Sequence, residues 1–182
     1  REHRSADEVG RALDRELQRD TNAFERYARL LVEPFLEQGS QHVTGLYGLL
    51  NNEWARPLMR RLAVEWLKRF GRISIVVEAE LVEFLAGECA FSELAELARL
   101  RSSAGYHNDE HRRNWLATQL LADFAEGAKR IEAFGAPERD FFWHLRNSFG
   151  ARRRDRSSVT ASAEQLAWII QRYRPVIGVV AM

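Results

Sequence analysis

The sequence predicts an all-α fold, built either as stacked helical hairpins of the HEAT type or as an irregular helical bundle. Three observations lead there. Apolar residues recur three and four apart along nearly the whole chain. Capping and stopping residues interrupt that pattern at intervals of about one helix. Strict apolar–polar alternation, the mark of a half-buried strand, is almost absent.

The elements follow in order. Val9, Leu13 and Leu17 lie four apart, and Asp20-Thr21-Asn22 breaks the run. Asn22 with Glu25 has capping-box spacing for a second helix, with Phe24, Tyr27, Leu31 and Phe35 as its stripe. Pro34 should kink or stop that helix. A short helix is expected over 43–50. Residues 54–70 give the strongest pattern. Trp54, Leu58, Met59, Leu62, Trp66, Leu67 and Phe70 share one face opposite Arg56, Arg60, Arg61, Glu65, Lys68 and Arg69. Pro57 suits the first turn and Gly71 the end. Residues 73–77 are β-branched, yet Val77, Leu81, Phe84 and Leu85 continue at helical spacing, so a helix is expected. Leu62, Trp66 and Leu81 lie at the centres of their stripes and are expected in the core.

A helix over 92–102 closes at Gly105. Asn108 caps the next, with Asp109 and Glu110 in the first turn and Leu116, Leu120 and Phe124 on the buried face. A piece over 126–134 stops at Gly135. Pro137 opens a helix carrying Phe141, Phe142, Leu145 and Phe149, and 151–158 reads as an arginine-rich loop. Ser162 and Gln165 form a capping box for a last helix with Leu166, Ile169, Ile170 and Tyr173, ended by Pro175. The apolar tail 176–182 is unusual for a solvent-exposed end. The short connections make neighbours antiparallel, and hairpins of about 40–47 residues are the HEAT and armadillo geometry.

Length suits one helical domain over 1–182, with 1–71 and 72–182 as subunits of it. An all-α segment that begins at Arg1 rather than Met is expected to be part of a larger protein. The net charge of +1 gives no field to steer nucleic acid or membrane to the whole surface. One cysteine, Cys89, excludes an intramolecular disulfide and a multi-cysteine zinc site. Cys89 itself reads as a small buried apolar residue. A cytoplasmic location is expected, without a membrane span. Trp54, Trp66, Trp115, Trp143 and Trp168 read as packing residues, and Glu78, Glu80, Glu83 and Glu88 as a solvated face.

The segments DEHRRNWLATQLLADF at 109–124, FFWHLRNSFG at 141–150 and AEQLAWIIQRYRP at 163–175 resemble the helical-repeat region that follows the nucleotide-binding module of bacterial STAND ATPases of the NACHT type. The resemblance covers at most the second half of the chain. It implies a sensor or scaffold arm without catalysis, with a protein or the other domains of a longer chain as partner. The sequence has no GxxxxGK[ST] phosphate loop, so any ATPase part lies elsewhere.

Three constellations could carry chemistry. His107-Asn108-Asp109-Glu110-His111 matches the letters of H-x-x-E-H, whose zinc chemistry needs both histidines on one helical face. The Asn108 cap puts His107 ahead of the helix, so the two are expected to point apart and to hold no metal. No cofactor is assigned. Arg139, Asp140 and His144 fit R-x4-H with a polar residue after the arginine, and resemble the motif of HEPN ribonucleases, all-α enzymes that act as dimers. The resemblance implies metal-independent RNA cleavage. Arginine would stabilise the charged phosphate, and histidine would move the 2′-hydroxyl proton. The other reading is an ordinary helix surface. Arg152, Arg153, Arg154 and Arg156 could grip phosphates, or stand as a solvated loop after a helix end.

Overall fold

The structure is a computed structural model that describes Glu16, residues 18–148 and residues 162–177. Expectations about Val9, Leu13, Leu17, Phe149, Arg152, Arg153, Arg154, Arg156 and the tail beyond Ile177 lie outside the described residues. Among those described, helix accounts for about 80% and there is no strand, so the fold is all-α. The helices are α1 (Thr21–Glu37), α2 (Leu46–Leu50), α3 (Arg56–Arg69), α4 (Ile75–Gly87), α5 (Phe91–Ala104), α6 (Asp109–Ala122), α7 (Phe124–Phe134), α8 (Arg139–Ser148) and α9 (Ala163–Ile177), with a 3-10 turn at Glu53–Ala55. The chain divides into two compact units, Arg1–Val77 and Glu78–Met182.

In the first unit, α1 is capped by Asp20, not Asn22. The Asp20 carboxylate accepts from the Asn22 and Ala23 N–H groups at 2.9 and 3.0 Å. Pro34 lies inside the helix, which runs on to Glu37. Proline removes only the bond to the Leu30 carbonyl, and Leu30 is on the exposed side. The buried stripe is Phe24, Ala28, Val32 and Leu36, whereas Tyr27 is exposed. The expected stripe of large side chains is thus rotated, because charges on both helices fix how α1 faces α3. Arg29 donates to both oxygens of Glu65, at 2.7 and 2.6 Å, and also to Glu25 and Glu33. Arg61 pairs with Glu25, and Arg69 with Glu33 at 3.0 Å. Two planar forks meeting face to face set direction as well as distance. Beneath them α3 buries Leu58, Met59, Leu62, Ala63, Trp66 and Leu67. The short α2 starts at Leu46, later than the expected 43, because Gly45 turns the chain with φ +83°.

In the second unit α6 is the hub, with α5, α7 and α8 packed around it and α9 against α8. Asn108 caps α6 as expected, accepting from the His111 N–H at 3.0 Å. The helix stops at Ala122, not Phe124. Asp123 leaves helical geometry and caps α7 through the Glu126 N–H at 3.3 Å. Gly127 makes the close return possible, since a Cβ there would sit 2.4 Å from the Leu120 Cα. The core joins Leu116, Leu120, Ile131, Phe141, Leu145, Ile169 and Tyr173. Arg172 ties α9 to the end of α7, donating to the carbonyls of Ile131 at 3.0 Å and Gly135 at 2.6 Å. The Ser162–Gln165 capping box closes in both directions, at 2.8 and 3.1 Å. Pro175 does not end α9, which continues to Ile177. Of the apolar residues that α9 carries, Leu166 and Ile170 are exposed, and Trp143, read as a packing residue, is exposed on α8. Leu62, Trp66 and Leu81 are fully buried, as their stripes predict.

Candidate functional site

Arg139 and Asp140 open α8 and are exposed. His144 follows five residues later, which on an α-helix turns it roughly 140° away from Arg139. It lies half-buried, its ring stacked on Phe141 with centroids 6.2 Å apart. Burial lowers its pKa, and the neighbouring positive charge of Arg113 lowers it further. Arg113 in turn pairs with Glu138 at 3.0 Å. The charged neighbour of His144 is therefore on α6, and within one chain Arg139 faces solvent instead of the imidazole.

His107 and His111 do not point apart. Their rings meet edge to face with centroids 5.5 Å apart. His111 is buried, and its Nδ1 lies 2.9 Å from Asn108 Oδ1. Because that oxygen also accepts the His111 backbone N–H, the contact makes Nδ1 the proton-bearing nitrogen. Among the described residues no group of three or more His, Cys, Asp or Glu side chains is placed to hold a metal ion. Cys89 is exposed, in the turn after α4, with φ +54°. The expectation of a buried thiol is corrected.

The most unusual polar arrangement is one the sequence reading missed. Glu78 does not belong to a solvated face. It is 2% exposed. Asn114 Nδ2 donates to its Oε1 at 3.2 Å. The Trp115 indole N–H is near the same carboxyl and eases its charge without closing a hydrogen bond in its present geometry. The Arg101 guanidinium of α5 lies 5.9 Å over the Trp115 ring and, with His111 of α6, eases the charge on Glu78. Burial nonetheless dominates and raises the Glu78 pKa. Burial also lowers that of Arg101, against the pull of Glu78. Glu80, two residues further on and half-buried, is raised by burial and by Glu83. The signal was present in the spacing. Glu78 precedes Leu81 by three residues and Leu85 by seven, which places it on the apolar stripe of α4. On α6, Asn114 and Thr118 occupy stripe positions beside Trp115, and the Thr118 hydroxyl donates to the Asn114 carbonyl at 2.8 Å.

Glu78 and His111 are buried here, and Arg101 is half-buried. Such groups can exchange charge and can set the stability of the helices that carry them. No protein-family model, curated protein or solved structure matches the chain.

Proposed function

We propose that this chain is a non-catalytic helical module for recognition or scaffolding within a larger regulatory or defence protein, in the manner of the sensor arm of a STAND-type ATPase. The observation that carries the reading is the outward placement of large apolar side chains on helices whose other faces already fill a core. Ile169 and Tyr173 of α9 are buried, while Leu166 and Ile170, four apart on another face, are 47% and 58% exposed. In the first unit Leu30 and Tyr47 are 78% and 75% exposed. Apolar residues in that arrangement suit contact with other protein surfaces. Arg139 and His144 diverge on α8, so the ribonuclease reading needs a second copy of the chain to bring them to one groove.

The test is metal-independent cleavage of RNA by the purified chain, compared with His144→Ala. The expected result is no cleavage by either. Cleavage by the parent chain that disappears in His144→Ala would replace this reading with a HEPN-like ribonuclease acting as a dimer, with Arg139 and His144 facing a shared groove.

A further inference from the structure

Glu78 stands in the first turn of α4 and meets two other helices of the same unit. The charged and titratable groups that face it are Arg101 from α5 and His111 from α6, and the neutral donors are Asn114 and Trp115. We propose that Glu78 is a proton-operated latch that fastens α4 to α5 and α6, closed while the carboxyl carries its proton and loosened when it ionises.

Two features support this. The first is the donor. Glu78 takes its hydrogen bond from the neutral Asn114 amide at 3.2 Å, whereas Glu65 in the first unit takes two from the Arg29 guanidinium. A carboxyl buried at 2% exposure with an amide donor is better matched as the neutral acid than as the ion. The second is attachment. The α6 backbone lies close against α5, α7 and α8, but no helix of the unit holds the α4 backbone as closely, so side chains such as Glu78 fasten it.

Burial opposes the charged form of Glu78, so the carboxyl gives up its proton above the usual carboxylate range. Once ionised, it needs stronger donors or water. Asn114 and Trp115 must then re-aim, or α4 must lift to admit solvent. Arg101 and His111 limit this opening without abolishing it.

The experiment is amide hydrogen exchange on the full chain from about pH 5 to about pH 8, corrected for intrinsic rates, with α7 as internal reference. The expected result is a several-fold loss of protection in α4 relative to α7 as pH rises across that range, the sign that follows from a buried carboxyl losing its proton. Glu78→Gln keeps the acceptor for Asn114 and should remove the pH dependence. Arg101→Gln should steepen it. Equal pH dependence in the parent chain and Glu78→Gln would overturn the latch. So would a carbon-13 carboxyl titration of Glu78 in the ordinary carboxylate range, a measurement that needs no variant to fold.

Discussion

Cys89 occupies a turn position that glycine fills elsewhere in the same chain. After α1, the Gly39 N–H bonds the Leu36 carbonyl and the Ser40 N–H bonds the Phe35 carbonyl, with Gly39 at φ +64°. After α4 the pattern repeats, Cys89 to Ala86 and Ala90 to Leu85, with Cys89 at φ +54°. This is the Schellman ending, whose left-handed residue is usually glycine because a Cβ crowds the carbonyl there. Cys89→Gly should therefore stabilise the protein by about 1 kcal/mol, read as a higher denaturant midpoint at unchanged slope. A lower midpoint would show that the thiol makes a contact worth more than the strain. The sequence could not disclose this turn, since a cysteine carries the composition signal of a core residue. Gln119 offers a second residue-scale test. It is 1% exposed, and neither amide atom has a hydrogen-bond partner. Replacing it with Met keeps the length and removes the desolvated polar atoms. The expected gain is about 1–3 kcal/mol; a loss of similar size would indicate a buried water or ion held by the amide.

At the scale of elements, helices and their ends were largely legible, and the rotation of each helix was less so. Asn108 and the Ser162–Gln165 box are local chemistry, and both cap as their spacing predicts. The azimuth of α1 was not legible, because Arg29 and Glu65 lie 36 residues apart and their pairing is a tertiary fact. The same holds for Asn114 and Glu78. A reader of α4 alone weighs glutamate as polar, and only its partner on α6 makes burial tolerable. The α6–α7 turn was misread for a related reason: Phe124 continues the apolar spacing, but Asp123 ends one helix and caps the next. The geometry makes Gly127 irreplaceable. Its missing Cβ would meet backbone atoms of Leu120 at 2.4 and 2.5 Å, which cannot swing aside as a side chain would. Gly127→Ala should cost about 1–3 kcal/mol through overpacking despite alanine's better helix propensity. Thermal melting within error of the parent would mean that α7 can slide away from α6 without loss.

At the scale of the whole molecule, groups of opposite tendency shape the response to pH. His144 has a lowered pKa in the folded chain, from burial and then Arg113. Its unfolded counterpart takes up a proton first, so stability is full above about pH 6.5 and is lost as pH falls through the folded value. Glu78 and Glu80 have raised values, chiefly from burial, so their contribution is full below the ordinary carboxylate range and is lost as pH rises through the folded values. Glu25 and Glu65, lowered mainly by hydrogen bonds from Arg29, add stability above that range and lose it at more acid pH. Tyr173, raised by burial, withdraws stability only on the alkaline side, as pH rises through its folded value. Between about pH 5 and 6.5, then, His144 and Glu78 pull in opposite directions, and the parent melting profile should be shallow there. Removing one reveals the other. Glu78→Gln should leave a profile that falls toward acid, and His144→Gln one that rises toward acid. Melting temperatures of the three proteins across that window decide the matter. Parallel profiles in all three would show that neither group changes its proton affinity on folding. A fall toward acid that survives His144→Gln would locate the responsible charge elsewhere than beside Arg113. The same comparison bears on function, since an imidazole held neutral by burial and by Arg113 has a structural reason for its low pKa that requires no catalysis.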